Sequence, residues 1–361
     1  MLQPRLVAHT VGAAVVSTSL AVAALCTLAP AGTAAARECP RPAVIDLGAP
    51  AGGNSDVGEM NDRGWVVGTV TDAAGVRGAA LWRGRSLQVL DVPRADGENS
   101  IAADVNDRGW VVGSSGTSGW PADRQAWIWH GGQARPLPGL PGGAGTAARR
   151  ISDNGVIAGT AITAAGHAHP VRWIDGRLED LGLPDGATDG FGFGTNTAGD
   201  VSGSVWFPED FDRAFVWSDG GFQLFKYGQA NVLDDAGRTG GRYDNVDIER
   251  SEAAWWAPGG TLHDLGTFAN VGWDSYGWVF ATDGEGDWGG VSTTADGTEA
   301  AFVSRSHGPL LALPALNGEY GAASDVHAMS ARGHAAGKST TASGAIHATL
   351  WRCAFAQAQP L

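Results

Sequence analysis

The residues of this chain best suited to recognising a ligand are aromatic rings set beside carboxylates. Trp120, Trp206, Phe207, Phe211, Trp273, Tyr276 and Tyr320 stand outside the regular spacing described below, interleaved with Glu98, Asp123, Glu209, Asp210, Asp274 and Glu319. Flat rings can stack on the C–H face of a sugar, and carboxylates accept protons from its hydroxyls. From this set Trp120, Trp206, Glu209, Asp210, Trp273, Asp274, Tyr276 and Tyr320 are the candidate ligand-binding residues. The plainer alternative is that the rings cap hydrophobic sheet edges.

Other chemistry finds weaker support. Asp283-Gly-Glu-Gly-Asp287 opens like an oxygen-rich calcium loop, but Trp288 takes the position that needs glycine, and no Glu closes the loop. It reads as a turn. His167 and His169 share one side of a strand without a third ligand at a telling spacing. His169 and His347 occupy equivalent places in distant segments, which suits strand-edge hydrogen bonding. The sequence carries no Gly-x-Ser-x-Gly elbow, zinc signature, phosphate loop or dinucleotide fingerprint. No catalytic residue, metal site or cofactor is therefore expected, although a glycosidase-like pair of acids is geometrically possible.

Charge narrows the partners. With 24 basic residues against 38 acidic ones the net charge is −14. Such a surface argues against nucleic acid and anionic membranes and suits the solubility of an exported protein. The N-terminus points the same way. Arg5 precedes an apolar run from Val11 to Leu28, and Ala34-Ala35-Ala36 offers a small-residue cleavage site. Residues 1–36 are expected to be a secretory signal, with an uncleaved anchor as the alternative. Residues 37–361 then form one domain, because no linker interrupts the pattern that fills them.

That pattern positions everything else. Glycine pairs four residues apart recur at Gly64/Gly68, Gly109/Gly113, Gly155/Gly159, Gly199/Gly203, Gly237/Gly241, Gly286/Gly290 and Gly333/Gly337. A tryptophan follows each first glycine by eighteen to twenty residues (Trp82, Trp129, Trp173, Trp217, Trp256, Trp351), except that Ser304 takes the sixth slot. Eight or nine residues further on comes Leu90, Leu137, Leu181, Phe225, Leu265 or Leu313, with Leu47 preceding the first pair. Within a repeat, a short alternating segment leads to a turn such as Asn61-Asp-Arg-Gly64, then to Val66-Val67, Ala79 to Trp82 and a last short strand. Seven four-stranded antiparallel sheets cannot bury their own faces, so the pattern predicts an all-β, seven-bladed β-propeller. A β-solenoid is the alternative.

The ends predict how the ring closes. Ala43 to Leu47 reads as an orphan fourth strand and the segment ending at Trp351 as an orphan third, so the N-terminal strand should complete the last blade. Cys39 and Cys353 flank those two strands, and an exported protein meets an oxidising compartment, so they are expected to pair as a disulfide.

The repeat resembles the HAF-type extracellular repeat, which joins an Asn-x-x-Gly-x-Val-x-Gly turn to a His-Ala-Phe-Leu-Trp strand and an Asp-Leu-Gly strand. Asn61 to Gly68, Ala214 to Trp217, and the triplets at Asp46, Asp180 and Asp264 carry the likeness, with His169 and His347 at the His position. The resemblance implies a secreted or surface-exposed bacterial protein and brings no settled activity. The function expected is a non-catalytic, monomeric extracellular binding or scaffold module, with carbohydrate the ligand class the rim suits. A polysaccharide-directed hydrolase or lyase is the alternative. Between the leucine row and the next glycine, the twelve-residue gap before repeat five and the 21-residue gap before repeat six place the expected site near blades four to six.

Overall fold

A computed structural model describes residues 41–95, 97–208, 212–269 and 274–361. Cys39, Glu209, Asp210, Trp273 and the proposed signal segment lie outside the described residues. The described chain is all-β, with no α-helix and with one-turn 3-10 segments such as Pro121–Asp123. No helix among the described residues is long and apolar enough to cross a membrane.

Repeat one shows how the sequence makes its sheet. β2 (Asn54–Met60), β3 (Trp65–Thr71), β4 (Arg77–Arg83) and β5 (Ser86–Val89) pair antiparallel in chain order. The first turn holds because Gly64 adopts φ +76°, and the Asn61 side chain accepts the N–H groups of Arg63 and Trp65. The middle strands are buried on both faces, whereas β5 is mostly exposed. The core therefore lies between successive sheets: Val67, Ala79 and Leu81 of repeat one meet Ala102, Val111, Trp127 and Trp129 of repeat two.

The same order gives β6–β9 for repeat two (Asn99–Pro136), β10–β13 for repeat three (Thr146–Asp180) and β21–β24 for repeat six (Gly277–Ala312). Repeats four and five share one seven-stranded sheet, β14–β20 (Asp189–Gly266). The thirteen-residue β17 (Gly221–Leu233) pairs first with β16 (Arg213–Ser218) and then, from Gly228 onward, with β18 (Thr239–Asn245). That continuous strand is the physical reason for the short gap before repeat five. Repeat seven, β25–β27 (Ser324–Arg352), gains β1 (Ala43–Asp46) as its fourth strand, in the register Ala43↔Arg352 to Asp46↔Thr349.

The framework tryptophans do what their spacing implies. Trp82, Trp173, Trp256 and Trp351 are fully buried, and the indole N–H groups of Trp173 and Trp351 donate to the carbonyls of Pro138 and Pro314. In repeat six, buried Trp288 stands opposite Ser304 on the neighbouring strand, so the bulk missing from one strand is supplied by the other.

The second glycine of each pair answers a different need. In every repeat the pairing of the first two strands skips one residue, a β-bulge: Gly58, Ala103, Arg149, Phe193, Asn231, Phe280 or His327. The second glycine faces the residue before the bulge. A Cβ on Gly68 would lie 2.0 Å from the Asp56 carbonyl oxygen, and the six equivalent glycines give 1.8 to 2.1 Å. Only glycine permits that approach.

Candidate functional site

A bulge re-aims a side chain, and here all seven bulge residues line one cavity or its adjoining lobes. Gly58, Ala103, Arg149, Phe193, Asn231, Phe280 and His327 surround a lobe of about 390 Å³. A second lobe of about 580 Å³ shares Arg149, Phe193 and Gln229, and is walled by Trp120, Pro121, Phe191, Trp206 and Asp212. A third of about 430 Å³ shares Trp278, Phe280 and His327, and adds Arg242, Tyr276, Glu299, Asp325 and Lys338.

The aromatic wall faces water. Trp120 and Trp206 remain 48% and 56% exposed, so neither serves as a buried cap. Trp120 meets Phe191 edge-on at 5.6 Å, and Phe191 stacks on Phe193 at 6.5 Å. The loop carrying Trp120 is braced by Arg124, whose guanidinium donates to the Ser118 and Ser114 carbonyls and the Ser114 hydroxyl. Across the cavity Phe280 stacks on His327 at 4.7 Å, and Arg242 lies over the Trp278 ring at 4.8 Å.

Most of the cavity's carboxylates are already paired. Asp212 accepts from Gln229 at 2.8 Å and meets Arg242 at 3.4 Å. Asp325 bridges Lys338 at 2.9 Å and His327 at 3.4 Å, and the same ammonium lies 3.9 Å from Asp56. Burial would raise the Asp325 pKa, but His327 and Lys338 outweigh it and hold the carboxyl below its usual range. Burial likewise works against the charged forms of His327 and Lys338, yet Asp325 keeps both raised. The Tyr276 hydroxyl hydrogen-bonds Glu299, and burial together with that carboxylate pushes its pKa up to about 12.

Arg150 lines both the bulge lobe and a further cavity. Its guanidinium forms an ion pair with Glu59 of repeat one and donates to the Phe280 carbonyl of repeat six at 2.8 Å. The further cavity, of about 300 Å³, is lined by Asp62, Asp107, Asp153, Asp235 and Asp283. Those acids stitch neighbouring turns together. Asp107 accepts the Asp62 N–H at 3.0 Å, Asp153 that of Asp107 at 2.8 Å and Asp235 that of Thr197 at 2.8 Å. Asp62 in turn accepts the Ala331 N–H at 2.9 Å, linking repeat seven to repeat one. Asp283 accepts three N–H groups of its own turn, from Glu285, Gly286 and Asp287, which is the turn reading rather than a calcium loop.

Of the expected site residues, the structure brings Trp120, Trp206 and Tyr276 to the adjoining cavities. Asp274 is exposed outside the lining, and the Tyr320 hydroxyl donates to the Gln357 carbonyl at 2.8 Å, tied to the C-terminal segment. The site also extends well beyond repeats four to six. The bulge residues were missed because innermost-strand positions pass for framework. Their signal is positional: each lies ten residues before the second glycine. His169 and His347 each bond the aspartate of the adjacent fourth strand, Asp180 and Asp46, at 2.9 Å. No group of three or more His, Cys, Asp or Glu that could hold a metal occurs among the described residues.

Neither a known protein family nor a curated protein matches the sequence. Solved structures do resemble it in fold. A prolyl endopeptidase superposes with a TM-score of 0.57 at 10% identity, covering 83% of this chain and 50% of that one. Puromycin hydrolase gives 0.54 at 13% identity, covering 90% of this chain and 54% of that one. A TolB protein from Agrobacterium tumefaciens gives 0.47 at 10% identity, over 74% and 93% of the two chains. The chain thus spans about half the length of the two enzymes. The likeness establishes the class of fold, a propeller-like assembly of four-stranded antiparallel sheets.

Proposed function

We propose that the protein is a secreted, non-catalytic binding module: a seven-bladed propeller, closed by its N-terminal strand, that takes carbohydrate in the cavity over its bulge residues. The observation that carries this reading is the pair of solvent-facing tryptophans, Trp120 and Trp206, on the wall of one 580 Å³ cavity. Concave, partly apolar sites with a few polar groups are where small ligands bind.

Ring closure is supported by the β1–β27 register, by the Asp62–Ala331 bond, and by Val57, Met60 and Trp82 of repeat one packing on Ala328, Ala336 and Ala348 of repeat seven. A Cys39–Cys353 disulfide is supported by the disulfide-bonded state of Cys353 and its position one residue after the Arg352–Ala43 pair. Secretion rests on the Arg5 to Ala36 segment, and the HAF-type resemblance agrees with it.

The hydrolase or lyase alternative has one specific observation in its favour, that Lys338 reaches both Asp56 and Asp325. A general acid needs a raised pKa, whereas Asp325 is held down. Asp104, pushed up to about 7 by burial, instead accepts the backbone N–H groups of Ile151 and Val105. A glycan array tests the binding reading: discrete sugars retained by the wild type and lost by Trp206→Ala are expected. New reducing ends released from a polysaccharide, and abolished in Asp56→Asn, would replace it with the enzyme.

A further inference from the structure

Arg149 is a guanidinium in the cavity that makes no hydrogen bond and no ion pair among the described residues. As the bulge residue of repeat three it lines both the 390 Å³ and the 580 Å³ lobes, between Phe193 and the Trp120 loop. Arg77 lines the smaller lobe beside it. Arg124, behind the Trp120 loop, has its pKa lowered by burial and then by the fields of Arg149 and Arg77, so both of those cations lie within electrostatic reach of it. Guanidinium stays charged under such pressure. Arg149 and Arg77 each repel Arg124, and the carboxylates of Asp212 and Asp325 are bound to Arg242, Lys338 and His327 instead. In a chain with 38 acids against 24 bases, this cluster runs against the overall charge.

We infer that the ligand carries a carboxylate: the cavity takes a uronate-type sugar whose carboxylate pairs with Arg149, in the field of Arg77 and Arg124, while its ring stacks on the Trp120–Trp206 wall. This deepens the carbohydrate reading above and rests on it. A planar carboxylate matches the guanidinium fork, with two parallel charge-assisted hydrogen bonds. Among the buried side-chain atoms without a hydrogen-bond partner are the Asp56 Oδ1 acceptor and the Arg242 Nε donor. Both residues line adjoining lobes, and both atoms suit the hydroxyls of a sugar better than a plain aromatic acid.

The test is calorimetric titration of the full-length mature protein with trigalacturonate, its neutral methyl ester and phenylacetate. Trigalacturonate should bind about tenfold or more tightly than the ester, the scale of one charged hydrogen-bond pair. Arg149→Gln should bring the two sugars level and Arg149→Lys should restore part of the difference, while Trp206→Ala weakens both. Equal binding of acid and ester by the wild type would overturn the charge inference and leave the carbohydrate reading standing. Binding of phenylacetate alone would overturn both, pointing to an aromatic acid, and so would binding of none of the three.

Discussion

At the scale of single residues, exposure separates recognition from architecture. Trp206 and Trp173 are the same residue type, one 56% exposed on the cavity wall and the other fully buried between sheets. Trp173→Ala should cost about 3–5 kcal/mol in chemical denaturation. Trp206→Ala should change stability by about 0.5 kcal/mol or less and act on binding instead. His327 provides a pH test. Asp325 holds the His327 pKa above its ordinary value of 6.5 despite burial, with Lys338 opposing and Asp56 assisting, and Phe280 stacked on the ring. The stabilisation from this raised pKa is complete below pH 6.5 and is lost as pH rises through the folded-state value. Asp325→Asn should lower the imidazole titration followed by NMR and flatten stability above pH 6.5. An unmoved titration would remove Asp325 as its cause.

At the scale of the element, the two glycines of each repeat have separable effects. Gly203→Ala would set a Cβ 1.9 Å from the Phe191 carbonyl oxygen, whereas at Gly199 the nearest atom to a Cβ is the end of the Arg172 side chain at 3.2 Å and the strain lies in φ +85°. Alanine at Gly203 should cost about 1–3 kcal/mol or more, and at Gly199 about 1–2 kcal/mol. Only the first should also disturb ligand binding, because it moves the Phe193 bulge. Both glycines, the tryptophan row and the unpaired end strands were legible in the sequence, since turns, close approaches and large cores each demand particular residues. Trp120 and Trp206 were legible too, as rings outside the framework rows. Arg149, Phe193, Phe280 and His327 were not. A bulge has no composition of its own, and which side chain it turns inward follows from strand pairing and from the neighbouring sheets. Once the bulge is placed ten residues before the second glycine, the same rows give the lining directly.

At the scale of the whole molecule, the proposed ring depends on its seam. A Cys39–Cys353 bond closes a loop of about 315 residues, and its reduction should lower stability by at most about 5 kcal/mol in the loop-entropy estimate. Intact mass under non-reducing conditions should be two hydrogens short for this pair, and two free thiols would remove it. The repeats present seven bulge residues of six types to one cavity, so a regular framework carries an irregular lining. The most direct test is a crystal structure of the mature protein soaked with trigalacturonate. The account predicts the sugar in the cavity over the bulge residues, with one ring against Trp120 or Trp206 and its carboxylate on Arg149. Sugar bound at the Asp62–Asp107 mouth, or a cavity left empty at saturating ligand, would contradict it.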